Sequence, residues 1–276
     1  MFRSFASKDR AGKSKKVTKR SFRNDAKQKL LEKLGSPSLV AGNSPKLTSA
    51  IITLVVGKDQ RLFAAHEDVL CHSPYFAQAC RDRFFEANAR RIALTDEQPE
   101  VFSAILEYLY KGDYYPRLLH DKRRNAWTLE EAAEAPHSPH LPAGRSNESA
   151  KVIFHSGVGD TILRDTAVYC AAERYGLDEL KRLALRKQGL QSGVEVATIL
   201  RSARYAYENT PDSDSRLRAH YLALIIRSRK TFKRSGTMQM EMEHGGKLFF
   251  DLFVAMANHL DDLADIGHAN ATPKTV

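Results

Sequence analysis

The stretch "HEDVLCHSPYF" (His66–Phe76) brings together two histidines, a cysteine and two acids. Those residue types can hold a metal or activate a thiol, so their spacing decides whether they do. A tetrahedral metal site needs three or four ligands converging on one point. On a helix, His66 and His72 are separated by about 600° of rotation, a net 240°, and sit on different faces. Neither histidine has an HxxxH partner. Cys71 and His72 are adjacent, and adjacent helical side chains diverge by about 100°. The thiol therefore lacks the converging base that a Cys–His nucleophile requires. "HSGVGD" (His155–Asp160) contains a lone GxG without the strand–turn–helix context of a phosphate loop. GxxxxGK[ST], HExxH and GxSxG do not occur in the sequence. The reading is of no catalytic residues, no metal and no cofactor. The same stretch makes structural sense instead: Leu70 and Phe76 can face a core, Ser73-Pro74 can open a helix, His66 orders the entry to the first helix and Cys71 packs.

The elements that surround this stretch follow from composition and punctuation. The chain has 276 residues and is 42% apolar, enough for one large domain or two small ones. Its three cysteines, Cys71, Cys80 and Cys170, are odd in number and show no CxxC spacing, so reduced and mostly buried thiols are expected. No run approaches the ~18 apolar residues that a membrane span needs. The first residues lack the apolar centre of a secretory signal, so the expected location is nucleus or cytoplasm. The net charge of +10 is lopsided: residues 1–34 hold 12 Lys/Arg against 3 Asp/Glu, whereas the remainder holds 31 against 30. The basic character thus belongs to a tail, 1–46, expected to be disordered. Within it "KSKKVTKR", with Lys13, Lys15, Lys16, Lys19 and Arg20, is a basic cluster of the nuclear-import type.

Order is expected from Leu47. "IITLVV" (Ile51–Val56), the turn residues Gly57–Gln60 and "RLFAA" (Arg61–Ala65) predict a β-hairpin. Helical segments follow at Glu67–Leu70 and Pro74–Cys80, and a third strand at Arg91–Thr95. Phe102, Ile105, Leu106 and Leu109 share one face of a helix that Pro99 opens and Gly112 stops. Residues 117–157, rich in Ala, Pro, Ser and charge, lose all periodicity and are expected to be a disordered insertion, with Trp127 packing it locally. Helices are expected at Thr161–Tyr175, after an Asp178 cap, and at Val194–Tyr207, Ser213–Arg229 and Lys247–Leu263. Residues 269–276 are expected to be a second disordered tail.

With these elements in order, the sequence resembles a BTB/POZ domain. The resemblance rests on Thr53–Tyr115, from "TLVVGKDQRLFAAH" through "SPYF" to "PEVFSAILEYLYKGDYY", and on "AVYCAAERYGLDELKRLALRK" (Ala167–Lys187). The insertion and the downstream "LRAHYLALIIRSRKTF…GGKLFFDLFVAM" further resemble BTB proteins of filamentous fungi. The resemblance implies an α+β fold: a helical cluster flanked by a small three-stranded sheet over 47–190, with an all-α extension over 191–268. It implies an interaction module without catalytic activity that homodimerises and, in many members, binds a cullin scaffold as adaptor of a ubiquitin ligase. The family's cullin motif, a hydrophobic residue, any residue and Glu before the third strand, falls on Phe84, Phe85 and Glu86. The sequence departs from the family at its first strand, where Ile51 or Ile52 stands in place of a common Asp; this argues against the domain-swapped dimer. No kelch, zinc-finger or MATH-like region marks a substrate protein. The competing expectation is a nuclear, DNA-associated regulator whose basic tail contacts phosphates without sequence selectivity.

Overall fold

The computed structural model describes residues 49–82, 91–130 and 151–271, with Asp82 and residues 266–271 described in backbone only. The tail cations Lys13, Lys15, Lys16, Lys19 and Arg20, the Phe84-Phe85-Glu86 triplet, residues 131–150 of the expected insertion and residues 272–276 lie outside that set. The described residues belong to one compact unit spanning 47–276. No division appears at 190/191, where the sequence suggested a boundary: one hydrophobic core runs from Ile52 to Leu252 across it.

β1 (Ile51–Val56) and β2 (Arg61–His66) form the expected hairpin, pairing Ile52 with Ala65 and Leu54 with Phe63. β3 (Arg91–Leu94) returns parallel to β1, giving the order β2-β1-β3. Alternation then sorts the faces: Ile52, Leu54, Val56, Ile92 and Leu94 are buried, while Ile51, Arg91 and Ala93 point out. Helices α1 (Glu67–Leu70), α2 (Pro74–Asp82) and α3 (Pro99–Lys111) pack on the buried face. Pro99 occupies the first turn of α3, and Gly112 ends it in the left-handed region (φ 74°), its N–H donating to the Tyr108 carbonyl at 2.7 Å.

The described ends of the expected insertion are ordered, contrary to the sequence reading. β4 (Leu118–Asp121) and β5 (Ala126–Leu129) make one hairpin; β6 (Val152–His155) and β7 (Asp160–Leu163) make another. Four-residue strands with charged tips carry too short an alternation to stand out. Trp127 packs locally, its ring 4.6 Å from that of His120 and 5.3 Å from the Arg186 guanidinium. The expected start of the next helix at Thr161 is likewise corrected. Thr161, Ile162 and Leu163 pair with Phe154, Ile153 and Val152 first, and α4 runs Arg164–Arg174.

α5 (Asp178–Gly189) has Leu177 at its N-cap, so Asp178 is the first helical residue and not the cap. α6 (Val196–Asn209) and α7 (Arg216–Arg227) follow, then the short α8 (Arg229–Phe232). α9 (Gly236–His244) was not expected: its sequence, GTMQMEMEH, buries only Met238 and shows no apolar stripe. α10 (Lys247–Ala271) extends beyond the expected Leu263. Its expected stripe is buried only at Leu248, Phe249 and Leu252; Phe253, Leu260 and Leu263 are exposed.

Two histidines, the buried His155 and the half-buried His220, give the fold a pH dependence. His155 Nδ1 accepts the Gly157 N–H at 3.2 Å, and its ring lies on Tyr205. Burial, with the Arg174 charge, holds His155 below the usual imidazole range; burial and Arg227 do the same for His220. The folded state then binds protons less readily than the unfolded chain, whose histidines titrate near ~6.5. Stability is expected to be full above that pH and to fall as acidification passes it. Buried Glu97 works in the opposite sense, because burial raises its carboxyl. Urea midpoints at pH 7.5 and 5.5 should therefore converge in the His155→Gln, His220→Gln double variant. An undiminished pH difference in that variant would refute the assignment.

Candidate functional site

The His66–Phe76 stretch builds a junction. The His66 backbone N–H donates to Tyr110 Oη on α3 at 2.9 Å, and its ring Nδ1 lies 2.8 Å from the same oxygen. The strand-to-helix entry is thus tied to α3. His72 Nδ1 lies 3.1 Å from the Val69 carbonyl, turned away from His66. Among the described residues, no cluster of His, Cys, Asp or Glu is arranged to hold a metal. Cys71 is exposed rather than packed, while Cys80 and Cys170 are buried, and none of the three forms a disulfide.

Ser73 is fully buried and serves two elements. Its Oγ accepts the Phe76 N–H at 3.4 Å, capping α2, and donates to the Tyr175 carbonyl at 2.7 Å. Phe76 stacks on the Tyr175 ring at 4.9 Å, and Tyr175 Oη donates to Glu97 at 2.7 Å. The chain then turns at Gly176 (φ 69°), where a side chain would come within 3.2 Å of the Pro74 ring. Glycine therefore fits this turn on both counts, backbone angle and space.

That close turn leaves a groove of about 390 Å³, lined by His72, Tyr108, Leu109, Gly112, Gly176, Leu177, Asp178 and Glu179. Its floor is apolar and aromatic; its rim carries carboxylates at the start of α5. Burial and the Glu179 charge both raise the Tyr108 phenol, so it stays protonated and can donate a hydrogen bond. Aromatic and aliphatic pockets with a few polar groups are what protein partners insert side chains into. Tyr108 and Leu109 were legible as helix positions, but the groove depends on a turn that arrives some sixty residues later in sequence.

The residues that follow Gly112 of the groove are held by a buried cation. Lys187 on α5 is 0% exposed, and its ammonium donates to Asp113 Oδ1 and to the Tyr114 and Pro116 carbonyls. It also lies 3.6 Å from the Tyr114 ring centroid. Tyr114 Oη donates to Asp165 at 2.7 Å, and Gln191 donates to the other Asp165 oxygen at 3.0 Å. This network locks residues 113–116, just past α3, against α4 and α5. A second, polar pocket beside α5 holds Lys181 between Glu173 and Asp214, so its charges are matched internally.

The expected partner residues Phe84, Phe85 and Glu86 lie outside the described residues, between the end of α2 and the start of β3. Residues 50–126 match the family model of the BTB/POZ domain. No curated protein matches the chain. The fold is accordingly a BTB domain, with its small β2-β1-β3 sheet and helices, continued by a C-terminal helical region.

Proposed function

We propose that this chain, whose residues 50–126 match a BTB/POZ domain, acts as a non-catalytic adaptor that presents a second protein to a cullin-type ubiquitin ligase. The domain match carries the reading: BTB domains are protein-interaction modules that commonly self-associate and bind other proteins. Phe84 or Phe85 would fill an apolar pocket on the cullin, with Glu86 beside it as a fixed carboxylate. The groove beside Tyr108 and Leu109 supports the reading by offering additional apolar surface. No helix among the described residues is long and apolar enough to cross a membrane. We place the protein in the nucleus or cytoplasm, with Lys13, Lys15, Lys16, Lys19 and Arg20 as the import signal.

The test is binding of the full chain to the N-terminal domain of a fungal cullin, measured by calorimetry. The Phe84→Ala, Glu86→Lys double variant is expected to weaken binding at least tenfold with its fold intact by circular dichroism. Undiminished binding would remove the site assignment, and no binding by the parent chain would remove the cullin reading. The alternative, a DNA-associated regulator, draws on the basic tail. It requires DNA affinity that survives rising salt, which a tail acting through phosphates alone would not give.

A further inference from the structure

We propose that α10 is a self-association element that pairs antiparallel with α10 of a second copy of this chain. The inference stands apart from the adaptor reading, since it uses none of the BTB residues.

The first observation is area. Phe253 is 72% exposed, Phe250 67% and Leu260 62%, and Val254, Met256 and Leu263 are exposed beside them. Only Leu248, Phe249 and Leu252 of this helix reach the core. The exposed set presents on the order of 600 Å² of apolar surface, so two copies would bury about 1,200 Å², within the range of specific interfaces. A contiguous patch of that size on one helix marks a contact site.

The second observation is shape. Phe250, Phe253, Ala257, Leu260 and Ala264 recur at alternating steps of three and four, the seam of a two-helix coil. The same seam supplies large and small side chains. Run antiparallel about an axis at the level of Ala255, Phe253 of one copy meets Ala257 of the other, and Phe250 meets Leu260. Each phenylalanine then has a neighbour that interdigitates with it, in both directions at once.

The third observation is charge. Asp261, Asp262 and Asp265 crowd the C-terminal half of α10, whereas Lys247 is at its start. The antiparallel register brings Lys247, whose ammonium also lies 2.5 Å from Asp212, to the level of Asp261 of the second copy; a parallel one would stack the carboxylates on each other. The acidic flank also argues against an anionic lipid surface as the occupant, because like charges would face each other.

The experiment is sedimentation velocity on the full chain from 1 to 100 μM. A dimer is expected, and Phe253→Glu with Leu260→Glu should raise its dissociation constant at least thirtyfold. Both sites are exposed, so circular dichroism should show the helices kept. Val254, which flanks the symmetry axis, gives the second readout. In a Cys71→Ser background, Val254→Cys should form a covalent dimer with a short bismaleimide, whereas Leu62→Cys, exposed on the sheet, should not. An Ile51→Asp, Leu62→Asp variant, altered on the sheet, should still dimerise. A monomer at every concentration, a dimer indifferent to the α10 changes, failure of Val254→Cys to cross-link, or loss of the dimer only in the sheet variant would each overturn the proposal.

Discussion

Replacing Lys187 with alanine is expected to destabilise the fold by about 3–5 kcal/mol, the cost of removing one member of a buried ion pair. The side chain leaves three acceptors behind: Asp113 and the carbonyls of Tyr114 and Pro116. Asp113 is partly exposed and keeps the N–H groups of Tyr114 and Leu118, which favours the lower end of that range. The two carbonyls have no such relief, and the Tyr114 ring loses the cation at its face. Burial already lowers the Lys187 ammonium, opposed by its hydrogen bond and charge pairing with Asp113. For a unit of this size the change corresponds to a fall in Tm on the order of 10 °C. Urea denaturation of Lys187→Ala, Asp113→Asn and the double variant would measure the coupling. Lys230→Ala on the exposed surface should stay within about 0.5 kcal/mol. Additive single-variant effects would show that Lys187 and Asp113 do not act as a pair. Because this network holds the residues after α3, Lys187→Ala should also loosen the groove wall formed by Tyr108, Leu109 and Gly112.

Phe76→Ala should cost about 3–5 kcal/mol for a different reason, a cavity. Phe76 is fully buried, stacked on Tyr175 and edge-on to Phe102 and Tyr75. Its backbone N–H is also the one that Ser73 caps. Losing the ring leaves Tyr175 without its stacking partner on the side where Ser73 and Glu97 hold it, so the site cannot collapse freely. Phe76→Leu should recover more than half of the loss. If Phe76→Leu proved as stable as the parent, the aromatic stack would contribute nothing beyond filled volume, and if it proved no more stable than Phe76→Ala, the loss would not be that of a cavity. Exposed Tyr75→Ala should cost far less, and the contrast separates burial from mere aromatic contact.

The sheet and the helices before residue 112 were legible because each is bounded by a residue with one strong local preference. Gly57 through Gln60 force the hairpin, Ser73-Pro74 opens α2, Pro99 opens α3 and Gly112 closes it. The β4–β5 and β6–β7 hairpins were not legible, since their four-residue strands are fixed by cross-strand pairing and by docking on α5 and α6. Leu163, for example, donates its backbone N–H to Ser202, a partner on α6. α9 lacks an apolar stripe, so periodicity had nothing to detect. The role of His66 was readable as ordering a turn, but its partner Tyr110 was not, because the contact spans 44 positions. Cys71 was misread because its small apolar side chain suits a core, while its place at the C-cap of α1 turns it outward.

The stitching between the two halves has a consequence for how such a protein can change over evolutionary time. Thr166 on α4 bonds both Gln188 on α5 and Tyr221 on α7, and Leu163 is held by Ser202. The family match ends at residue 126, but the cooperative block does not. Recombination that exchanged everything after that point for another module would strip Tyr175 from Phe76 and leave the buried Ser73 hydroxyl without the Tyr175 carbonyl to which it donates. The C-terminal helices are therefore not an interchangeable cassette. They have to be inherited together with the sheet, and new binding specificities must arise by substitution on their outer faces.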